Sequence, residues 1–505
     1  MVATNATPRL PGRDRTPGAP RTPARGKAGV RRPAAVGLAR IAASIVGLAH
    51  HQGTALPGLA AERVWPGAFA ALAAQLRSTV LVVGTNGKTT TSGLIAEIVR
   101  AADGQPIANR SGANMRQGIV SSLVSAADLH GRLRHDGDGS PDAVFEVDEL
   151  ALERILPELG PSVIVATNLF RDQLDRYGEA DSIVDRWAAA LLTAADGSIL
   201  VHCADDPRLA MLAADSPLAT LTFGLAGPPP DRDHRPDAGG SIADPVACRT
   251  CGRQLSYGWR SVGHLGDFAC PEGHIRRSAP DLTVESIATP EAADSGAPAG
   301  SRTTLHLRGR LGETMARPAL PGLTNAYNVA GAITAGVALG YELGRSAAAI
   351  EGYEGPFGRL EWLEIEGRRL VMVLIKNTVS LAETVYLAPT LGADVVLLGL
   401  NDAPADGRDV SWIWDAPIAA LVADRAVVLC GSRAADLHLR LRYDQDTSAR
   451  PPRSIEEAGS LAAGLDAAVA RAPLGGTVVA AGTYTAMMGL RAIAQRRGDA
   501  PPAPR

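Results

Sequence analysis

The sequence predicts an α/β protein with two parallel-sheet regions, and three observations support this prediction. An apolar run at 79–83 leads into a glycine-rich loop and then into a helical pattern. Strand and helix patterns continue to alternate to about residue 225. A second alternation runs from about 370 to 495, with the apolar stretches LVMVLI, DVVLLGL, RAVVLC and GTVVAAG. Alternation of this kind is typical of parallel sheets covered by helices.

The bulk composition fits a globular protein with several domains. The chain has 505 residues, of which 46% are hydrophobic and 20% charged. No uninterrupted apolar run approaches the roughly 18 residues that a membrane-spanning helix needs, and no stretch resembles a secretory signal. We therefore expect a cytoplasmic protein. Its five cysteines, three of them clustered, indicate metal binding in a reducing compartment rather than a disulfide framework.

The first 34 residues are expected to form a disordered basic tail. Residues 1–40 contain nine basic residues and one acidic residue, although the whole chain has a formal net charge of −3. Such a tail could contact nucleic acid or anionic lipid, but a solvated extension is the more frequent case. The apolar stretch 34–50, interrupted by Arg40, is expected to be a helix packed on a domain.

The first strand ends in a loop with the chemistry of a phosphate cradle, TVLVVGTNGKTTTS at 79–92. Backbone N–H groups at such a turn and at the start of the next helix point at an anion. Lys88 is expected to reach the terminal phosphates, and the Thr89 hydroxyl to complete a Mg²⁺ shell. The spacing G-x-x-G-K-T is shorter than usual, which disfavours motor and switch GTPases. The alternative is a plain strand-to-helix turn with a solvated lysine.

A second strand ends in carboxylates, in the stretch DAVFEVDE at 142–149. In parallel sheets the residues at the carboxyl ends of strands meet at one edge, where the phosphate loop also lies. Glu146 is therefore expected to bind Mg²⁺ directly or through water. The alternative is a charged strand end that faces solvent.

Four further stretches complete a known pattern: SVIVATNLFRDQLDRYGE (162–179), HCADDP (202–207), PGLTNAYNVAGAITA (321–335) and FGRLEW (357–362). Together with the short phosphate loop they resemble the Mur ligase family, ATP-dependent enzymes that join amines to carboxylates in peptidoglycan synthesis. The resemblance places Arg359 near the transferred phosphate. It implies phosphate and nucleotide contacts from Gly84, Thr85, Asn86, Gly87, Lys88, Thr89, Thr90, Asn168, Asp206, Asn325 and Asn328.

Without the resemblance, these residues would be assigned ordinary structural roles. An asparagine pair three positions apart on a helix is usually a cap or a surface pair, and Arg359 alone would be assigned to a salt bridge.

Within the family, the chain resembles the MurT branch. It shares a cysteine-containing insertion and the C-terminal stretches LIKNTVSLAETV, GLNDAPADGRDVSWIWD, GSRAADLHLRLRY and GTYTAMMGLR. Because the phosphate loop comes early in the sequence, no separate N-terminal UDP-sugar domain is expected. The resemblance to this branch implies that the protein is an ATP-dependent carbon–nitrogen ligase. Such a ligase amidates the α-carboxylate of D-glutamate in the lipid II stem peptide through an acyl phosphate. The same resemblance implies a heterodimer with a GatD-type glutaminase, and ATP, Mg²⁺ and structural Zn²⁺ as cofactors. No nucleic acid is expected, and contact with the inner membrane face would be peripheral.

The resemblance also implies a domain organisation. A basic tail (1–34) precedes a Mur ligase central domain (35–355), which carries a zinc-ribbon-like insertion at 245–280. A C-terminal α/β domain (356–497) and a short tail (498–505) follow. The Pro/Gly/Ala-rich stretches 226–241 and 289–302 on either side of the insertion are expected to be flexible connectors.

The insertion departs from the pattern of its branch, which has two C-x-x-C knuckles. Here the second knuckle reads CPEGH, with Gly273 where the fourth cysteine is expected. Tetrahedral Zn²⁺ also accepts three thiolates and one imidazole, so His274 is the expected fourth ligand and His264 the less favoured one. The predicted metal ligands are Cys248, Cys251, Cys270 and His274. The alternative is three free thiols without metal.

The branch uses an aspartate of the synthetase to complete a Cys-His-Asp arrangement in the partner. The stretch NDAPADG offers Asp402 and Asp406, and Asp406 is preferred because A-D-G matches the branch better. The alternative is a simple turn, which Asp-Gly favours. The predicted catalytic residues are therefore Lys88, Arg359 and Asp406.

Three rival functions remain at this point. The first is another Mur-like amide ligase, similar to folylpolyglutamate synthase. The second is a zinc-bearing nucleic-acid-binding ATPase, which the acidic balance of the core opposes. The third is a scaffold without turnover, which the retained phosphate-loop residues oppose.

Overall fold

The computed structural model describes residues 31–48, 56–109, 113–134, 140–172, 180–229, 245–288, 303–353, 355, 359–445 and 450–497. Most of the predicted basic tail, most of the two flexible connectors and the predicted C-terminal tail lie outside these residues. The first helix begins at Arg31, so the predicted tail boundary after residue 34 is too late. Pro33 is tolerated in the first turn, where backbone N–H groups have no helical acceptor.

The helices of the described chain are α1 (Arg31–Leu48), α2 (Leu56–Val64), α3 (Ala68–Ala73), α4 (Lys88–Asp103), α5 (Arg116–Ala126), α6 (Leu152–Leu159), α7 (Ala180–Leu191), α8 (Pro207–Ala214), α9 (Leu323–Ala338), α10 (Leu343–Ala349), α11 (Thr378–Thr390), α12 (Ile418–Val422), α13 (Ala434–Gln445), α14 (Leu461–Arg471) and α15 (Tyr484–Arg497). A short 3₁₀ helix spans Ser411–Trp414.

The strands are β1 (Thr79–Val83), β2 (Ile107–Ala108), β3 (Ala143–Glu146), β4 (Val163–Ala166), β5 (Ile199–Cys203), β6 (Ala219–Leu225), β7 (Ser256–Arg260), β8 (Gly266–Ala269), β9 (Leu282–Ala288), β10 (Thr304–Gly309), β11 (Gly312–Ala316), β12 (Arg359–Ile365), β13 (Arg368–Leu374), β14 (Ala393–Gly399), β15 (Ala426–Cys430), β16 (Ser454–Glu457) and β17 (Thr477–Gly482).

The larger sheet has the strand order β11-β10-β9-β6-β5-β4-β1-β3-β2. Strand β1 pairs in parallel with β3 on one side and with β4 on the other. All its residues are buried, as expected for an apolar run covered by helices on both faces. Because these three strands are parallel, their carboxyl ends meet at one edge, and the segments that follow them are neighbours.

The smaller sheet has the order β12-β13-β17-β14-β15-β16, and all neighbours except β12 and β13 pair in parallel. Strands β13, β14, β15 and β17 correspond to the four apolar stretches from which the second alternation was predicted. Separate apolar clusters cover the two faces of this sheet. The predicted α/β class with two parallel-sheet regions is therefore confirmed. The predicted boundary at 355/356 falls between α10 and β12 and stays a prediction.

The N-terminal helices pack on the larger sheet region rather than extending away from it. Ala35, Val36 and Ala39 of α1 are fully or almost fully buried and belong to its core. Gly58 in α2 donates its backbone N–H to the Ser121 hydroxyl of α5, at 2.8 Å. The predicted packing of this first helix on a domain is thus observed. Among the described residues, we find no helix with the length and apolarity needed to cross a membrane.

The cysteine-containing insertion forms a small unit of its own. Strands β7 and β8 pair as an antiparallel two-stranded sheet, and a compact apolar cluster surrounds Tyr257, Phe268 and the buried cysteines. Met211 of α8 belongs to the same cluster, so the insertion packs directly on the larger sheet region.

Candidate active site

The glycine-rich loop after β1 has a backbone that only glycine allows. Gly84 has φ 135° and Gly87, at the N-cap of α4, has φ 83°. A Cβ atom on Gly84 would lie 2.1 Å from the Thr167 hydroxyl, and one on Gly87 would lie 2.0 Å from Oδ1 of Asn328. The two glycines therefore let the loop pass close to its neighbours, and the loop ends at the N-terminus of a sixteen-residue helix.

Lys88 is buried at the start of α4 and points back toward the loop. Its ammonium group donates to the Gly84 carbonyl and lies 2.7 Å from Oε1 of Glu149. Burial by itself lowers the pKa of Lys88, but the charges of Glu149 and Glu146 outweigh it and raise the pKa. The group is therefore a fixed cation, as a phosphate-binding lysine must be.

The strand-end carboxylates after β3 lie beside the loop, as the sequence predicted. Thr89 donates its hydroxyl to Oε2 of Glu146 at 2.7 Å, and Asp148 and Glu149 are also buried. Burial raises the pKa of Glu149 more than the nearby lysines lower it. Its Oε2 atom is buried without a hydrogen-bond partner among the described residues. A hydroxyl beside a carboxylate, with a further orphaned carboxylate oxygen nearby, is a fitting donor set for a hard cation such as Mg²⁺.

Asn168 follows β4 and fixes the other side of the loop. Its side chain accepts the Asn86 N–H at 2.9 Å and donates to the Asn86 carbonyl at 3.0 Å. Its own carbonyl accepts the Thr85 N–H at 2.9 Å. Phe170 adds a further bond, from its N–H to the Thr85 hydroxyl. The structure thus brings Asn168 to the phosphate loop, where it holds the backbone in position.

Asp206 is completely buried and acts as a backbone anchor. It caps helix α8 by accepting the N–H groups of Arg208 and Leu209. Its second oxygen accepts the Leu169 N–H at 2.7 Å. Burial opposes ionisation, but His264 and the hydrogen bonds lower the pKa of Asp206 overall. These contacts orient the segment that contains Asn168; the predicted contact of Asp206 with the nucleotide stays a prediction.

A cleft of about 300 Å³ opens between the two sheet regions, next to the phosphate loop. Asn325 and Asn328 of α9 line it, and their side chains bond to each other at 3.1 Å. Of the other predicted residues, Asn86, Gly87 and Thr90 also line the cleft. The Nδ2 atom of Asn86 is buried and has no hydrogen-bond partner among the described residues.

Two residues of the C-terminal sheet region reach the phosphate loop, and neither was among the predicted site residues. Lys376 donates to the Thr85 carbonyl at 2.7 Å and to Oδ2 of Asp172 at 2.8 Å. Asn377 donates to Oδ1 of Asn86 at 3.2 Å. A compositional signal was available, because the chain contains only three lysines against 47 arginines. Two of those lysines, 88 and 376, meet at this loop.

Helix α11 begins directly after Lys376 with a side-chain cap from Asn377. Asn377 caps α11 by accepting the Ser380 N–H at 2.9 Å, and Ser380 accepts the Asn377 N–H in return. This reciprocal arrangement is a capping box. Ser380 therefore supplies the second half of the cap.

Arg359 begins β12, where its backbone pairs with Val373 of β13. Its side chain lies outside the described residues, so its predicted position near the transferred phosphate stays a prediction. The next residue, Leu360, has φ 64° at a β-bulge and lines the cleft. The strand that carries Arg359 therefore starts at the cleft wall.

The loop predicted to serve a partner holds three aspartates in different environments. Asp406 is buried, and its carboxylate accepts the N–H of Thr485 at 2.7 Å and the hydroxyl of Thr485 at 2.6 Å. Asp402 pairs with Arg433 at 3.3 Å and accepts the Ser432 hydroxyl. Asp409 is exposed, and its carboxylate accepts the backbone N–H of Ser411 at 2.8 Å. The preferred candidate is thus the least accessible of the three.

The four predicted metal ligands converge in the inserted module. The ligand atoms of Cys248, Cys251, Cys270 and His274 all lie within 4.8 Å of one another. Removal from water raises the pKa of Cys270, but hydrogen bonds from His274 outweigh it and lower the pKa to about 6. Three thiols and one imidazole at this spacing fit a tetrahedral zinc ion. His264, the less favoured candidate, lies elsewhere, beside Asp206.

The two remaining cysteines are buried core residues. Burial raises the pKa of Cys203 well above its ordinary value, and it raises the pKa of Cys430 to about 12. Neither thiol is a nucleophile at neutral pH.

Two family profiles match the chain in regions that agree with this geometry. The profile of the Mur ligase middle domain matches residues 82–236, which include the phosphate loop, Glu146 and Asn168. The profile of the MurT ligase C-terminal region matches residues 374–487, which include Lys376 and the three-aspartate loop.

Solved structures of Mur ligases share the fold. MurF from Acinetobacter baumannii has a TM-score of 0.60 at 16% identity and covers 86% of this chain and 80% of its own. MurF from Thermotoga maritima in complex with ADP has a TM-score of 0.59 at 11% identity, over 85% and 83% of the two chains. At these identities the likeness concerns the fold alone.

Relatives of known name are closer in sequence. A protein of Staphylococcus aureus (strain N315) named lipid II isoglutaminyl synthase (glutamine-hydrolyzing) subunit MurT is 31% identical over 82% of this chain and 88% of its own length. The protein of that name from Streptococcus pneumoniae is 30% identical over 72% and 76%. With this identity over most of both chains, the chain belongs to the Mur ligase family and, within it, to the MurT subunits.

Proposed function

We propose that the chain is the synthetase subunit of an ATP-dependent lipid II isoglutaminyl synthase. It transfers the γ-phosphoryl group of ATP to the free α-carboxylate of D-glutamate in the lipid II stem peptide, and ADP is released. Ammonia attacks the carbonyl carbon of this acyl phosphate, inorganic phosphate leaves, and the nitrogen loses a proton to give D-isoglutamine. The names of the MurT relatives from two organisms support this assignment.

The observation that carries the proposal is the meeting of Lys88 and Lys376 at one phosphate loop. A carboxylate is a poor electrophile until one oxygen carries a phosphoryl group, and the transfer concentrates negative charge between ATP and the acceptor. Lys88 reaches this loop from α4 and Lys376 from the start of the C-terminal region. Two lysines that reach the loop from different elements offset the charge that develops during transfer.

Nucleotide and metal fit the same edge of the sheet. Asn86, Asn325 and Asn328 present amides to the cleft, where they suit the adenine and ribose of ATP. Thr89 and Glu146 would hold Mg²⁺, which neutralises phosphate charge when it is bound. Arg359 remains the proposed contact to the transferred phosphate. In the insertion, Cys248, Cys251, Cys270 and His274 would hold a structural Zn²⁺.

The nitrogen source is proposed to be a GatD-type glutaminase that forms a heterodimer with this chain. A glutaminase of the Cys-His-Asp type needs a reactive thiolate. Cys203 and Cys430 are buried with raised pKa values, and the other three cysteines converge with His274. The thiol that hydrolyses glutamine is therefore assigned to the partner.

We assign the partner-facing carboxylate to Asp409 rather than to Asp406. A carboxylate that completes another chain's catalytic site must be accessible from outside. Asp409 is exposed and its carboxylate bonds a neighbouring backbone N–H, whereas Asp406 is buried against Thr485. Asp402 is partly exposed but engaged by Arg433. In this proposal Asp406 holds the loop in place, and Asp409 extends from it.

The test is mass spectrometry of lipid II after incubation with the purified chain and Mg-ATP. Ammonium or glutamine is supplied as nitrogen source, with and without the glutaminase subunit. We expect the small mass decrease that accompanies replacement of a hydroxyl by an amide, with the partner required only when glutamine is the source. An unchanged lipid II under every condition, with ATP bound, would redirect the assignment to another carboxylate substrate of a Mur-like amide ligase.

A further inference from the structure

The buried side chain of His264 joins the inserted cysteine module to the edge of the larger sheet where the phosphate loop lies. His264 lies in the turn between β7 and β8 and is completely buried. Its ring stacks at an angle on Phe170, with centroids 4.8 Å apart. Its Nε2 atom lies 3.4 Å from Oδ1 of Asp206, and its Nδ1 atom lies 3.3 Å from Nη1 of Arg208.

The partners of His264 fix its tautomer. An arginine side chain has only donors, so Nδ1 must accept from Arg208. The proton of the neutral ring then lies on Nε2, which faces the carboxylate of Asp206. This N–H group has no well-aligned hydrogen-bond partner among the described residues, so its orientation depends on how the module holds the ring.

Two neighbours of His264, Asp206 and Phe170, connect it to the segment that supports the phosphate loop. Asp206 accepts the Leu169 N–H, and Phe170 donates its N–H to the Thr85 hydroxyl. Phe170 also lines the cleft. A continuous path of contacts therefore runs from the module, through His264, to the loop that cradles phosphate.

A second set of contacts also joins the module to the turn between β5 and α8. Asp205 is completely buried, and its carboxylate accepts bonds from Arg277 at 2.7 Å and from the Tyr327 hydroxyl at 2.6 Å. Tyr327 in turn contacts the hydroxyl of Ser261 in the module, at 2.8 Å. The module thus holds both aspartates of the β5–α8 turn from one side, which fixes its position against the larger sheet.

We propose that His264 positions the nucleotide-supporting segment 168–170, and that metal binding in the module and nucleotide binding in the cleft therefore strengthen each other. The module has a core of only a few apolar residues, and in units of this size a bound metal supplies much of the folding free energy. A metal at the four convergent ligands orders the turn that carries His264. Because coupling between two ligands is reciprocal, a nucleotide that orders segment 168–170 must also increase the affinity of the module for the metal.

This inference rests on the proposed nucleotide site but not on lipid II or on amidation. The first experiment uses the unmodified full chain loaded with Zn²⁺. Loss of zinc to a chromogenic chelator is followed with and without saturating Mg-ADP. We expect Mg-ADP to slow zinc loss several-fold. Equal rates, in a chain shown by calorimetry to bind Mg-ADP, would overturn the coupling and leave the nucleotide site intact. An absence of Mg-ADP binding to the zinc-loaded chain would overturn the nucleotide site and the coupling together.

The second experiment compares variants at equal zinc content. His264→Leu keeps the volume of the ring without its N–H group, and we expect its dissociation constant for Mg-ADP to rise about tenfold, within the usual range of coupling between sites. His264→Gln restores a donor toward Asp206 and should recover part of the affinity. Arg253→Gln, at an exposed position of the same module, is the matched control. A His264→Leu chain that holds zinc and binds Mg-ADP within twofold of the unmodified chain would refute the positioning role.

Discussion

The ammonium group of Lys376 lies 2.7 Å from the carbonyl oxygen of Thr85, although the two residues are 291 positions apart. This bond joins the start of the C-terminal sheet region directly to the phosphate loop. Asp172 holds the same ammonium at 2.8 Å, and the Asn377 amide bonds Asn86 beside it. The loop is therefore completed by both sheet regions.

Replacement of Lys376 should impair phosphoryl transfer. Lys376→Met removes a cation that offsets transfer charge, and losses of this kind cost about 100-fold in turnover. Lys376→Arg should restore activity only in part, because a guanidinium is a planar fork and does not replace a point charge. Turnover is measured as ADP release in the presence of lipid II and ammonium. Lys27→Met, at the third lysine of the chain, is the control; retention of full turnover by Lys376→Met would contradict the role.

Lys88→Met should abolish turnover more completely. The change removes the buried cation of α4 and leaves Glu149 without its ion-pair partner at 2.7 Å. We expect turnover to fall by more than about 100-fold and the affinity for Mg-ADP to weaken in calorimetry. The control is Arg100→Met on the last turn of the same helix, which should change neither quantity. A Lys88→Met chain that still hydrolyses ATP at a comparable rate would exclude the phosphate-cradle assignment.

Substitutions of Asp406 and Asp409 should differ in how they affect amidation from ammonium and amidation from glutamine. Asp409→Asn is expected to spare amidation from ammonium and to impair amidation from glutamine, because it removes a charge that only the partner uses. Asp406→Asn should reduce both, because it weakens the bonds to Thr485 that hold the loop. Both rates are followed by mass spectrometry of lipid II with the glutaminase present. A glutamine-selective defect in Asp406→Asn, with Asp409→Asn unaffected, would return the assignment to Asp406.

The zinc content of the chain should depend on the four residues Cys248, Cys251, Cys270 and His274. Cys270→Ser is expected to lose zinc and to lower the melting temperature of the chain, because binding of a structural metal contributes to folding. His274→Cys should keep the metal, since four thiolates also suit tetrahedral Zn²⁺. Elemental analysis after dialysis gives the content. A zinc content in Cys270→Ser equal to that of the unmodified chain would show that these four residues do not form a zinc site.

The hairpin between β12 and β13 offers a stability test that is independent of function. Ile365 pairs with Arg368 across a two-residue turn in which Glu366 has φ 48° and Gly367 has φ 70°. A turn of this type favours Asn-Gly, and a left-handed glutamate costs about 1 kcal/mol. Glu366→Asn should therefore raise the free energy of unfolding by roughly 0.5–1 kcal/mol in urea denaturation. Glu364→Asn, two residues earlier in the strand, should not stabilise; equal effects at both positions would reject the turn explanation.

Much of the local structure was predictable from the sequence. The apolar run 79–83 and the loop that follows it identified the central strand and the phosphate cradle, because a short continuous apolar run before a glycine-rich loop is typical of a strand buried on both faces of a parallel sheet. The same logic located Glu146, since parallel strands bring their carboxyl ends to one edge. Asn168 was expected at this edge from the resemblance to the Mur ligase family. The spacing of cysteines and His274 identified a group that the structure does bring together.

The sequence by itself thus determined the strands, the cradle and the metal-ligand set, because short-range spacing governs each of them. Only the tertiary structure decided that Lys376 reaches Thr85, that Asp406 is buried while Asp409 is exposed, and that His264 faces Asp206. These relationships join segments that are distant in the chain or depend on which side of a loop is covered. Their geometry is set by how the sheet regions and the inserted module pack on one another, a property that no local pattern of residues encodes.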